Sequence, residues 1–286
     1  MAKYARLRER VQQSLVPSHA LVVPDATPDA TLQLVHDAAY VRAVTLGTLP
    51  ESDQRRIGFP WSPGMVERSR RSVGGTLAAS RAALEDGVSV NLAGGTHHAF
   101  PGQGNGFCVF NDVAVAARAL LTDGRIRRAV VIDTDVHQGD GTAYIFRDDP
   151  AVFTFSVHGR NNFPFRKQSS DLDIDLPDGA GDDAWLAAVR RGLDAAFGAP
   201  AQVAFCMAGA DPFAGDRLGR LDVSAAALAE RDRMVIERCA HEGAAIVFVM
   251  GGGYAADIED IVAIHFHTVA SAARFAETGV PIATSR

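Results

Sequence analysis

Cysteine is scarce in this 286-residue chain: Cys108, Cys206 and Cys239 are the only three, an odd number with no CxxC spacing. That excludes a disulfide framework and points to a reducing compartment, here the cytoplasm. A basic excess is also missing. The 28 Lys and Arg residues are outnumbered by 34 Asp and Glu, giving a net charge of −6. This argues against broad nucleic-acid binding and weakly favours cationic peptide substrates. No apolar run is long enough to span a membrane, and the N-terminus does not read as a secretory signal. There is no repeat and no low-complexity tail.

What the chain does have is a hydrophobic content of 47%, enough for a sizeable core. Strand-like runs at Val88–Leu92, Ala129–Ile132, Val152–Val157, Val203–Met207 and Ala245–Met250 alternate with helical stretches. The helical stretches include Val66–Glu85, Val113–Leu121, Asp183–Ala196, Ser224–Cys239 and Ile258–Ala276. This alternation predicts an α/β fold of three layers, a largely parallel central sheet with helices on both faces. Pro177–Asp182 reads as a turn cluster rather than a linker, so residues 1–286 are expected to form a single domain.

The residues that carry chemistry follow the strands. Asp133-Thr-Asp135-Val-His137-Gln-Gly-Asp140-Gly follows Ala129–Ile132, where open α/β sheets place their sites. Three carboxylates and an imidazole so close together are costly unless a cation neutralises them. In extended backbone, Asp135 and His137 point to the same side. Asp211, after Val203–Met207, offers a third ligand. Three protein ligands with an open position are the mark of a catalytic zinc site. Any one of these acids alone is better read as a turn or helix cap. His97 and His98 follow a Gly94-Gly95 turn, and one imidazole near the metal could act as a general base if an acid holds its other nitrogen. Asp133 and Asp140 are free for that task. Tyr254, after Gly251-Gly252-Gly253, could donate its hydroxyl proton to a developing oxyanion, a contribution of roughly 3 kcal/mol.

Together these pieces resemble the histone deacetylase family. The matching segments are Gly94–His98, Gly106-Phe107-Cys108, Asn111-Asp112, Asp133–Gly141, Ala208–Asp211 and Gly251–Tyr254, in the family's order. Phe153–His158, Asn162–Phe165 and Gly215–Gly219 resemble the class IV branch and its bacterial relatives. The resemblance implies an arginase/deacetylase-like fold and a zinc held by Asp135, His137 and Asp211. It implies that Asp133 partners His97, that Asp140 partners His98, and that Tyr254 stabilises the transition state. Gly106 and Phe107 would form one wall of an acyl-lysine channel. Phe163, or its neighbour Phe165, would form the other, with Gly252 near the alkyl chain. Potassium would sit at Asp133 and Ser156.

The implied reaction is zinc-dependent hydrolysis of an N-ε-acyl-lysine amide, acetyl or longer, in a peptide or protein. A hydrolase of small acylated amines such as acylpolyamines, and a catalytically weak acyl-lysine binder, are the alternatives. The chain opens Met1-Ala-Lys-Tyr4 in a basic, helix-like segment, where relatives carry a short strand and loop. The expectation is that this leader is absent, leaving a sheet edge open and the pocket rim altered. Acyl length, physiological substrate and oligomeric state are not encoded in any of these motifs.

Overall fold

The computed structural model describes residues 2–279. Met1 and the residues after 279, which the single-domain expectation includes, lie outside them. The chain begins with α1 (Ala2–Leu15), α2 (Asp29–Leu32), α3 (Ala38–Leu46), α4 (Glu51–Ile57) and α5 (Pro63–Asp86). Strands and helices then alternate: β1 (Val88–Asn91), α6 (Asp112–Thr122), β2 (Ala129–Asp133), α7 (Asp140–Phe146), β3 (Val152–Gly159) and β4 (Leu172–Leu176). The last elements are α8 (Asp182–Ala196), β5 (Val203–Met207), α9 (Ala225–Glu242), β6 (Ala245–Val249) and α10 (Ile258–Thr278).

The six strands form one sheet in the order β1-β6-β5-β2-β3-β4, and every pairing is parallel. β2, β5 and β6 read as continuous apolar runs because both faces are covered. Alternate residues separate the two cores. Val130, Ile132, Ala204, Cys206, Ile246 and Phe248 pack toward α8, α9 and α10. Val131, Val203, Phe205, Val247 and Val249 pack toward α5 and α6. This period-two split is the three-layer arrangement that the strand–helix alternation predicts. A third cluster joins α2, α3 and α4 to the start of α5 through Leu32, Val41, Val44, Ile57 and Val73.

Two features depart from the sequence reading. First, the sheet has a sixth strand, β4, at one edge. Its Leu-Asp-Ile-Asp-Leu alternation is a strand signal, but Asp is depleted in strands and hides it. Second, residues 135–137, between β2 and α7, bend rather than extend. Asp135 and His137 still meet, because the Asp135 side chain accepts from the His137 backbone N–H at 3.0 Å. The opening segment is helical, as expected: α1 buries Leu7 and Val11 against the main core, pairs Arg6 with Glu259 and stacks Arg10 on Phe266 of α10.

Candidate active site

The sequence-derived candidates gather toward the carboxyl edge of the parallel sheet: Asp133 on β2, Ser156 on β3, Asp140 at the start of α7, and the rest on the segments after β1, β2, β3, β5 and β6. The loop after β1 is built around Asp112. Its carboxylate accepts from the N–H groups of Gly95 (3.1 Å) and Thr96 (2.7 Å) and from the Thr96 hydroxyl (2.6 Å). Gly94 and Gly95 have φ of +78° and +76°, a left-handed conformation that favours glycine. A Cβ on Gly95 would meet the Gly251 backbone at 2.6 Å, so the two glycine loops lie against each other.

This loop delivers two buried imidazoles. His97 Nδ1 lies 2.7 Å from Asp133 Oδ2, and His98 Nδ1 lies 2.6 Å from Asp140 Oδ1. Their Nε2 atoms are 3.1 Å apart. The surroundings drive them in opposite directions. Burial disfavours charge on His97, but Asp133 and Asp135 outweigh it and raise its pKa to about 9. Burial and the neighbouring His97 lower His98 to about 4, against the pull of Asp140. Charge is thus favoured on the His97 ring and disfavoured on the His98 ring.

Asp135, His137 and Asp211 converge. Each offers one ligand atom, and the three atoms lie within 4.8 Å of one another. His137 Nδ1 is 3.0 Å from Asp135 Oδ1 and 3.2 Å from Asp211 Oδ2. The outer oxygens are occupied: the Val136 N–H donates to Asp211 Oδ1 and the Gly252 N–H to Asp135 Oδ2. Burial and Asp135 raise Asp211 to about 7. Two buried acids facing one imidazole form a donor set suited to a divalent cation such as zinc. Gly252 backs this group directly. A Cβ there would lie 1.8 Å from Asp211 Oδ2 and 2.9 Å from Asp135 Oδ2, so its bare Cα faces both carboxylates.

The rim is aromatic. Phe163 stands edge-on to His98, with centroids 4.9 Å apart at 83°, while Phe165 is 85% exposed with its ring centroid 6.3 Å from that of Phe163. Phe163 rather than Phe165 therefore borders the imidazoles. Gly106 fits beside them because a Cβ would meet His98 at 2.7 Å and Phe163 at 3.1 Å. Phe107, the sole non-glycine residue with positive φ among the described residues (+66°), turns its half-exposed ring to 6.2 Å from Tyr254. Burial raises the Tyr254 hydroxyl to about 12, so it stays protonated. Cys108 is buried with its thiol pushed well up, as suits a packing residue. Asp133 and Ser156 are register partners on β2 and β3, and the Ser156 hydroxyl lies 3.0 Å from His158 Nδ1.

The sequence reading missed three residues here. The Asp216 carboxylate accepts from the N–H groups of Tyr254, Leu218 and Gly219, fixing the turn that presents Tyr254. Lys3 is buried, donates to the carbonyls of Gly251 (3.2 Å) and Gly253 (3.3 Å), and lies 5.0 Å from the Tyr254 ring. Lys167 braces the loop that carries Phe163. Lys3 and Asp216 meet the Tyr254 turn from far away in sequence, and no local pattern announces such contacts. Only the Gly215–Gly219 motif hinted at Asp216.

Comparison with known proteins places this geometry. The family model described as "Histone deacetylase domain" matches residues 1–269. An uncharacterised protein of Picosynechococcus sp. is 46% identical over 256 residues, covering 89% of this chain and 85% of that protein. The acetoin utilization protein AcuC of Bacillus subtilis is 34% identical over 260 residues, covering 82% of this chain and 66% of that protein. Among solved structures, an HDAC homologue complexed with SAHA superposes with a TM-score of 0.82 at 24% identity, covering 99% of this chain and 78% of that one.

Proposed function

The chain belongs to the histone deacetylase family and is a hydrolase of that family. From that premise we propose that it is a zinc-dependent deacylase that hydrolyses the side-chain amide of N-ε-acyl-lysine in peptides or proteins. The observation that carries the reading is the convergence of Asp135, His137 and Asp211 beside two buried His–Asp pairs. Asp135, His137 and Asp211 would hold the zinc. When bound, zinc supplies Lewis-acid polarisation of the acyl carbonyl and makes a nearby water more acidic.

The remaining work falls to the chain's own side chains. Burial and the neighbouring His97 favour the neutral form of His98, and Asp140 takes its Nδ1–H, which makes Nε2, 3.1 Å from His97 Nε2, the ring's proton acceptor for the attacking water. His97, whose Nδ1 is held by Asp133, supplies the proton that the leaving lysine amine takes. The split of base and acid between paired groups follows from their different environments. Tyr254 keeps its hydroxyl proton and donates it as a hydrogen bond to the oxyanion that develops on the acyl carbon. Phe107 and Phe163, with Gly106 beside Phe163 and His98, grip the apolar lysine stem, and Gly252 lines the channel near the alkyl chain. Potassium, held by Asp133 and Ser156, has a structural role in this reading. The chain acts as one catalytic domain, and its three buried, unpaired thiols suit a reducing compartment such as the cytoplasm. No helix among the described residues is long and apolar enough to cross a membrane.

The test is release of free lysine from acyl-lysine peptides, scanned from acetyl to myristoyl, with zinc and with a chelator. Chelator-sensitive turnover supports the reading, and its dependence on acyl length defines the substrate. Turnover confined to acylated polyamines would replace it with the small-amine reading. No turnover with zinc demonstrably bound would contradict both.

A further inference from the structure

Lys3 and Lys167 are the chain's only lysines, against 26 arginines. Lys167 Nζ donates to two backbone carbonyls, Asn162 O at 2.6 Å and Pro164 O at 2.8 Å. Those carbonyls belong to the residues on either side of Phe163, whose ring stands edge-on to His98. The segment between β3 and β4 has no helix or strand of its own, so its shape depends on such ties. Gln138 ties its far end at Gln168, and buried Asn162 donates to Leu218 O at 2.8 Å and accepts from the Arg220 N–H at 3.2 Å. Asn162 fixes the root of the loop, and Lys167 fixes the two peptides that aim Phe163.

Lysine suits the task where arginine does not. Two acceptors converge on one nitrogen, which a compact ammonium with three donors can satisfy. A planar guanidinium spreads its donors outward. The surrounding acids also matter. Partial burial lowers the Lys167 pKa, and the charges of Asp140, Asp175 and Asp173 oppose that shift. Asp140 is the same carboxylate that holds His98 Nδ1. One ammonium is thus tied by hydrogen bonds to the aromatic wall and lies in the field of the carboxylate that holds His98.

We propose that Lys167 is a positioning residue that sets Phe163 against His98, and so makes the aromatic wall of the acyl-lysine channel. The inference rests on the deacylase reading for its kinetic consequence, but not for its structural one. The experiment compares the full chain with Lys167→Met, Lys167→Arg, Phe163→Ala and the double variant Lys167→Met/Phe163→Ala. Amide hydrogen exchange over residues 160–167 and steady-state kinetics on an acyl-lysine peptide are measured for each. Lys167→Met should speed loop exchange about tenfold and raise KM about tenfold, with kcat changed by less than about threefold, since two charge-assisted bonds are lost. Lys167→Arg keeps a donor cation and should recover part of both effects. The double variant should resemble Phe163→Ala alone, because the two residues act through one wall.

Unchanged exchange in Lys167→Met would overturn the proposal, as would a KM within about twofold of wild type. So would a loss of kcat and melting temperature with KM untouched, which marks a purely structural role. If the wild-type chain turns over no acylated amine, the deacylase reading fails. The exchange comparison alone then decides whether Lys167 orders the loop.

Discussion

Replacing Gly252 by alanine should destroy metal binding while leaving the fold in place. The added Cβ would lie 1.8 Å from Asp211 Oδ2, 2.6 Å from Asp211 Cγ and 2.9 Å from Asp135 Oδ2. Ordinary van der Waals contact begins near 3.4 Å, so the Asp211 oxygen would have to retreat by about 1.6 Å. That oxygen is the one facing His137 Nδ1 at 3.2 Å. It cannot retreat freely, because its sister oxygen accepts from the Val136 N–H at 2.9 Å. The Gly252 N–H is also bonded to Asp135, so a shift of the backbone would carry the second ligand with it. Changes to groups that merely orient ligands weaken metal binding about 10- to 100-fold. Direct displacement of a ligand should exceed the upper figure. The assay is zinc titration by calorimetry with a competing chelator, alongside a thermal melt of the metal-free protein. Gly64→Ala, where a Cβ meets nothing closer than 3.9 Å, is the control. Zinc affinity in Gly252→Ala within about threefold of wild type would refute the reasoning.

Tyr254→Phe should retain zinc and lower kcat roughly 10²- to 10³-fold, as loss of an oxyanion donor does. An unchanged kcat would remove the tyrosine from the mechanism. His36 is buried, and burial lowers its pKa to about 4; its ring accepts from the Asn111 N–H and donates toward the Phe100 carbonyl. The folded form refuses a proton that the unfolded chain takes up near pH 6.5. His36 therefore contributes stability that is complete above pH 6.5 and lost as pH falls toward about 4, to the extent of roughly 3 kcal/mol. Denaturant midpoints of wild type and His36→Gln measured from pH 7.5 to 4 should diverge through that window; parallel curves would contradict the assignment. Asn111 caps α6 through the Ala114 N–H and donates to Thr142 Oγ1 and to the Ala99 carbonyl. Asn111→Ala should cost about 2–4 kcal/mol by urea unfolding, since it removes a cap and strands buried partners. A cost below about 0.5 kcal/mol would mean that water replaces the side chain.

Much of this site is readable from the chain because its motifs are local. Asp133, Asp135, His137 and Asp140 lie within eight residues of one another, and each other cluster also follows a buried apolar strand. The five apolar runs fall on β1, β2, β3, β5 and β6 to within two residues at each end. What escapes is of two kinds. β4 is an edge strand with acids on alternate positions, so its pattern is weaker than that of the buried strands. The short helices α2 and α4 carry Pro28 and Pro50 just ahead of their first turns, and α3 and α4 end on Gly47 and Gly58. Proline before and glycine after are real signals, but over four to nine residues they do not establish an apolar period. Residues that act from afar leave no local trace. Lys3 reaches Gly251 across 248 positions, and nothing near Lys3 indicates that destination.

The most direct test of the account is metal content and turnover measured together on one preparation. Wild type should bind one zinc per chain and release lysine from an acyl-lysine peptide. Asp211→Ala should lose both, and chelation of wild type should abolish turnover until zinc is restored. Turnover at the wild-type rate in the metal-free Asp211→Ala chain would contradict the central claim.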